Sequence, residues 1–361
     1  MINIFCRSPH IIPVNNVGQS GSKIELFIYN GGASVPALPT YTLSKLIPAS
    51  NNTNTSYNVS PYLREYITHL NFNNNYSTDN SLTPYAEWTF VKIKTYNLIG
   101  STYTLDDSIT YRVFDGYGYY EDGGNPNLGD ILLAPGTYNY WFDTSNSPST
   151  IPAHSAGIVT AYLPRNYVVY YRNLLSGTIH TNTITANEVY DLYRVYPTWY
   201  GAGNLMEIYD GSAALLWSSY FLPKTECRYE PLNIDFINKY GAWQTEFFYK
   251  ASFENLDVTN TTYNLAQTAG YYYNQREGQR AVFNANGIRK YRMNTGFVDE
   301  TYSETIQQLL LSERVIWSDG IKQRPIKINT KGIEKHKNIN NKTINYTIEF
   351  ELAYDVINSV I

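Results

Sequence analysis

The sequence predicts a mainly β, multidomain chain. It reads as immunoglobulin- or fibronectin-like β-sandwiches followed by a C-terminal β-rich module carrying one amphipathic helix. Three observations predict this. Short runs of apolar residues, many of them alternating, recur between Gly, Pro and Asn along the whole chain. There are 36 Tyr and 38 Asn, while charged residues make up only 16%. Tyr suits a pleated, half-buried surface and Asn suits turns, although an AT-rich coding sequence would give the same excess. At 361 residues the chain is too long for one simple core, so two or three domains are expected. The expected units are a β-sandwich over 1–122, a second β-domain or insertion over 123–225, and a C-terminal module over 226–361.

In the first unit, strands are expected at Ile11–Val14, Lys23–Tyr29, Thr40–Leu46 and Ser56–Val59. Glu25–Tyr29 is apolar enough for a core strand, and Asn30-Gly31-Gly32 after it signals a turn. A helix should begin at Ser60, with Pro61 in its first turn. Leu63, Tyr66, Ile67 and Leu70 then share one face. Trp88–Tyr96, Ser101–Leu105 and Ser108–Phe114 give three more strands, with Asp106-Asp107 as a turn. About seven short strands in this length is the sandwich signature.

The second unit opens on the turn or linker 122–127. Pro135-Gly136 marks another turn, before a strand at Thr137–Phe142. Val159–Leu163 and Tyr167–Arg172 read as a hairpin across Pro164-Arg165-Asn166. Glu188–Tyr196 fits helix or strand. Leu205–Tyr209 and Ala213–Trp217 are strands joined at Asp210-Gly211.

In the third unit, Glu230–Asn238 alternates with one apolar face, and Trp243–Tyr249 follows a tight connection. Thr259–Thr262 reads as loop. Ala281–Lys290 reads as a strand pair around Asn284-Ala285-Asn286-Gly287. The helix is expected over 300–313, with Thr301 and Glu304 as a capping box and Asp299 and Glu300 at its positive end. Tyr302, Ile306, Leu309 and Leu310 line one face of it. Strands at Val315–Trp317 and Pro325–Asn329 flank a turn at Asp319-Gly320. Ile344–Leu352 is the last, with Ile344, Tyr346, Ile348 and Phe350 on one side.

Chemistry is hard to find. The net charge of −4 gives no reason to expect direct nucleic-acid binding. Residues 314–342 carry eight basic and two acidic side chains, a local +6. That excess fits a solvated strand face with Lys guarding the edges, or an acidic partner surface. No run of about 18 apolar residues suggests a membrane span, and no secretory signal is visible. Synthesis and assembly inside a cell, with Cys6 and Cys227 reduced, is therefore the expectation.

The five histidines show no metal spacing. Asp115, Glu121, Asp122 and Asp130 cluster with Asn125 and Asn127, yet they miss the EF-hand pattern and read as a solvated turn. There is no nucleophile elbow, phosphate loop or His-Glu-x-x-His. The expectation is a non-enzyme with no cofactor, metal or catalytic residue. Trp199, Tyr200 and the run Tyr271, Tyr272 and Tyr273 are candidate exposed aromatics for glycan or partner contact, or else ordinary strand packing.

Several stretches carry a resemblance. They are Asn294-Thr295-Gly296-Phe297-Val298, the helix through Glu313, and Ile339 to Phe350. Further ones are Gln19 to Phe27, Pro39 to Lys45, Asn58 to Ile67, and Cys227-Arg228-Tyr229-Glu230-Pro231 with Phe236 to Gln244. They resemble tail, ring or neck proteins of tailed phages that infect Bacteroidota, including the crAss-like group, over about two thirds of the chain and least at 120–220. The resemblance implies a virion structural protein that contacts copies of itself and neighbouring virion proteins. It supplies no catalytic residues. Read with it, Tyr302, Ile306, Leu309 and Leu310 on the helix, with Lys327, Lys331 and Lys335, are the expected interface. The alternative is a receptor- or carbohydrate-binding tail protein that uses the aromatics on host-surface glycan.

Overall fold

A computed structural model of the chain describes residues 2–48, 54–70, 80–83, 85–125, 131–142, 166–185, 192–196, 199–225, 228–229, 231–265, 276, 278–318, 322–335 and 343–358. It is mainly β and multidomain, with three main sheets. Among the described residues no helix is long and apolar enough to cross a membrane.

The first unit uses β1 (Ile2–Phe5), β2 (Ile11–Asn15), β3 (Gly21–Asn30), β4 (Tyr41–Leu46), β5 (Asn54–Asn58) and the one-turn helix α1 (Ser60–Arg64). After β6 (Asn80–Leu82) come the long β7 (Trp88–Ile99) and β8 (Thr102–Phe114). Five of them form a sheet in the order β1-β8-β7-β3-β4, with β1 parallel to β8. The β2–β5 ribbon packs on one face of it. Alternation explains the packing: Ile24, Leu26, Ile28, Val91, Ile93 and Val113 point at Ile12, Val14 and Tyr57 across the layer. The Ser22 hydroxyl bridges the two layers, 2.6 Å from Thr55 Oγ1 and 2.7 Å from the Tyr57 hydroxyl.

Two expectations change here. Ser101–Leu105 and Ser108–Phe114 are one strand, and a register shift opposite Thr95 and Tyr96 absorbs Asp106-Asp107 without a turn. α1 stops at Arg64; Leu63 is buried and Ile67 packs on the core, while Tyr66 and Leu70 remain 38% and 48% exposed.

The second unit contains β9 (Tyr138–Phe142), β10 (Tyr167–Asn173), β11 (Ile179–Ile184), β12 (Tyr193–Val195), β13 (Asn204–Tyr209) and β14 (Leu215–Lys224). Its sheet runs β11-β10-β13-β14-β9, with β9 parallel to β14. The hairpin partner of β10 is β11, which the sequence did not suggest. The expected partner at 159–163 lies outside the described residues. β12 pairs with β6, tying this unit to the first.

The third unit contains β15 (Leu232–Ile237), β16 (Trp243–Phe248), β17 (Phe253–Asn264), β18 (Arg280–Asn294), β19 (Val298–Asp299), a 3-10 turn (Glu300–Tyr302) and α2 (Ser303–Leu311). β20 (Val315–Ser318), β21 (Gln323–Ile328), β22 (Thr343–Ile344) and β23 (Thr347–Leu352) follow. Seven of these strands form an antiparallel sheet, β16-β15-β20-β21-β23-β18-β17. α2 lies on one face of it, with Tyr302, Ile306 and Leu309 against Phe236, Phe248, Ile348 and Phe350.

β15 and β16 are buried on both faces, unlike the one-sided strand expected. Their second face meets the second unit: Phe247 shares a core with Val169, Tyr171 and Phe221. The helix is capped by Asp299, which accepts from the Thr301 amide at 2.9 Å, in place of the expected Thr301–Glu304 box. Glu304 instead accepts from the Tyr119 hydroxyl at 2.7 Å.

The first and third units touch through backbone. Tyr117 N–H donates to the Lys239 carbonyl at 2.8 Å. Gly241 takes φ +78°, and a Cβ there would sit 2.8 Å from the Asp115 backbone. The Asn238 side chain holds that turn, accepting from Tyr240 and Ala242 amides.

Candidate assembly surface

β17 and the first two thirds of β18 make up the part of the third sheet that the rest of the fold leaves bare, while Tyr291 and Met293 of β18 lie in the core. β18 pairs with β23 only over Lys290–Asn294, whereas its pairing with β17 continues to Arg280. Beyond Lys290 the two strands leave the sheet as a two-stranded arm. All of Phe253–Asn264 is exposed. At the arm's root, Val356 N–H donates to the Gly287 carbonyl at 2.8 Å, and Ile357 N–H donates to Asn286 Oδ1 at 3.0 Å.

The two faces of the arm differ. Leu256, Val258 and Val282 stand on the side that carries the core further along the sheet, and they are 51%, 57% and 57% exposed. Glu254 and Arg289 stand on the same side and pair at 3.5 Å, so the arm continues this side of the sheet as a mixed apolar and charged face. The other side carries the exposed rings of Phe253, Tyr263 and Phe283 together with a charge ladder. Lys327 pairs with Glu351 at 2.9 Å, Glu351 lies opposite Lys290 in register, and Lys290 pairs with Asp257 at 2.5 Å. Asp257 holds the Lys290 ammonium above its usual range, and Lys290 holds Asp257 below the usual carboxylate range. Hydrogen bonds from Asn329 and Lys327 depress Glu351 in the same way. The Arg292 guanidinium covers the Phe253 ring at 4.7 Å. Opposite charges across strands stabilise pairing and pin register, which a hairpin open on both faces needs.

The expected interface residues do not gather at one surface. Tyr302, Ile306 and Leu309 are no more than 1% exposed, and Leu310 packs on the same core. The helix face is spent on this chain's own core and is not open to a partner, which corrects that expectation. Lys327 belongs to the charge ladder. Lys335 donates to Gln307 on α2, and Lys331 is exposed between them. Of the aromatics, Trp199 is 36% exposed and stacks on His180 with ring centroids 3.4 Å apart, and Tyr200 packs on the second core. Tyr271, Tyr272 and Tyr273 lie outside the described residues.

The arm corrects two expectations. Thr259–Thr262 is the middle of a strand and not a loop, and Ala281–Lys290 is one strand and not a pair. Asn284, at φ +53°, sits in a bulge within β18. A signal was present: Phe253–Asn264 has no Gly or Pro and holds Val258, Thr259, Thr261, Thr262 and Tyr263, all strand formers.

Buried acids elsewhere are structural. Asp235 and Glu246 lie on adjacent strands, and burial pushes both carboxyls up to about 7. Asp235 accepts from Thr245, while Glu246 accepts from Tyr302 and Gln244. Asp235 sits opposite Thr245 and Glu246 opposite Ile234, so they occupy opposite faces of the sheet and share no cleft. Among the described residues no three of His, Cys, Asp and Glu converge as a metal would need. Asp115, from the acidic cluster, faces His69 at 3.1 Å and Arg64 at 3.3 Å, and Asn125 is bound to the Phe5 backbone. Cys6 is buried, which pushes its thiol far above its usual range and makes it a poor nucleophile. Cys227 lies outside the described residues.

No family model matches the chain, and no curated protein matches it. Among solved structures it is similar to the periplasmic chaperone SfaE at 12% identity, over 60% of this chain and 92% of that chain, with a TM-score of 0.16. At that score the likeness carries no argument about fold or function.

Proposed function

We propose that this chain is a non-enzymatic structural protein of a phage virion, in the tail, baseplate or neck, that assembles as a homo-oligomer by protein–protein contacts. The resemblance of its sequence stretches to virion proteins of Bacteroidota phages supplies the setting. The observation that carries assembly is the β17–β18 arm. A long strand edge with exposed apolar side chains is a liability for a solitary protein and a joint for one that assembles. The exposed, basic segment around Lys331 adds a surface for an acidic neighbour.

Mass determination with negative-stain imaging, across concentration and salt, tests the reading. The expected result is a discrete oligomer, replaced by a folded monomer when the arm is exchanged for a short turn. A strict monomer at every concentration overturns it. The surface-exposed Trp199–His180 stack favours a second reading, glycan binding by a tail protein. In that case Trp199→Ala weakens binding to host-surface glycan, and no binding by the native chain removes this reading.

A further inference from the structure

We propose that two copies of this chain join by antiparallel pairing of β17 with its own counterpart, centred on Val258, so that their seven-stranded sheets continue into one another. The inference rests on the assembly reading and names the partner strand within it.

The edge is built to accept a strand. Between Thr259 and Thr261 β17 advances by two residues while the paired positions move from Asn286 to Phe283. The extra residue is therefore on the inner strand β18, and the outer edge of β17 stays regular. A bulge on the edge strand itself would have blocked pairing. Phe253–Asn264 also lacks Lys, Arg and Pro, the residues that commonly guard an edge.

Symmetry and charge narrow the register, and apolar and aromatic pairing favours the one centred on Val258. A two-fold axis normal to a sheet keeps each face continuous, so residues directly opposite share odd or even numbering. Centring on Asp257 would set two carboxylates against each other, which disfavours pairing. Centring on Val258 places Phe253 opposite the partner's Tyr263 at both ends and Val258 opposite the partner's Val258. Glu254 then faces the partner's Thr262, and Asp257 the partner's Thr259, so each carboxylate meets a hydroxyl donor. Parallel pairing in register would set Glu254 and Asp257 beside their own copies. The four-stranded layer formed by two arms also leaves the class of two-stranded ribbons that are marginal in water.

Cysteine cross-linking in the full chain, with Cys227→Ser as background and the buried Cys6 left in place, tests this. Directly opposite residues in an antiparallel pair lie about 4.5–5.5 Å apart at Cα, within the range of about 4.4–6.8 Å that a disulfide spans. Val258→Cys should therefore link to itself under mild oxidation and run as a dimer on a non-reducing gel. Leu256→Cys and Asn260→Cys should each stay unlinked alone and link to each other when mixed. All three positions are exposed, so the substitutions leave the core untouched. If the native chain is an oligomer yet Val258→Cys does not self-link, or positions 256 and 260 self-link equally well, the inference falls and the assembly reading stands. If the native chain is only ever a monomer, both fall.

Discussion

Asp235 and Glu246 are the two residues whose charge the fold opposes most plainly. Burial raises both folded carboxyls to about 7, above the unfolded value of about 4. Between those two pH values the folded state holds more protons, so this contribution to stability is full in acid below about 4 and is lost as pH rises through about 7. Asp235→Asn and Glu246→Gln should therefore raise the melting temperature at pH 8, and the gain should shrink toward pH 4. Thermal melts across that range check it, and a gain independent of pH would contradict the burial argument. Gly241→Ala has no such compensation. A Cβ at φ +78° would also strike the Asp115 backbone, so a loss of about 1–3 kcal/mol is expected in urea melts. Neither acid was legible in the sequence. Alternation in Glu230–Asn238 was readable, but the cover on its polar side comes from the second unit, remote in the chain.

Elements were legible where burial falls on one face. Lys23–Tyr29, Trp88–Tyr96 and the α2 stripe could be read because their apolar periodicity records a core on one side. β17 has no such record. Solvent meets both of its faces, and its Thr and Asn residues look like loop when judged by apolar spacing. The Asn-Ala-Asn-Gly of β18 signals a turn, yet the chain uses its one left-handed residue there for a bulge. The same physics explains α2: its stripe was visible, but the stripe alone could not say whether this chain or another covers it. Leu309→Asp should now cost stability by about 4 kcal/mol or more, because the charge would enter a closed core. Asp257→Lys should loosen the arm alone, by placing like charges beside each other at Lys290. Hydrogen exchange would show faster amides over 253–264 with β15 and β16 unchanged.

At the scale of the molecule, the mainly β, multidomain character follows from composition and spacing. The joints between units do not. β6 with β12, Tyr117 with Lys239 and Phe247 in the second core are contacts between distant segments, and no local pattern encodes them. If the chain assembles through its arm, amides of 253–264 should exchange more slowly in the oligomer than in a diluted monomer, while the first unit stays unchanged. Equal exchange in both states would place the contact elsewhere.

The parallel β1–β8 contact bears on how the protein is made. Among the described residues Ile2–Phe5 pairs as a strand only with Tyr111–Phe114, so the β1 ladder must wait for about 110 further residues to be translated. At roughly 5–20 residues per second that is about 5–20 s. During it Ile4 and Phe5, fully enclosed in the finished protein, stay in water or in the hands of a chaperone. A bulky fusion that slows or blocks β1 should therefore lower soluble yield without lowering the stability of the molecules that do complete.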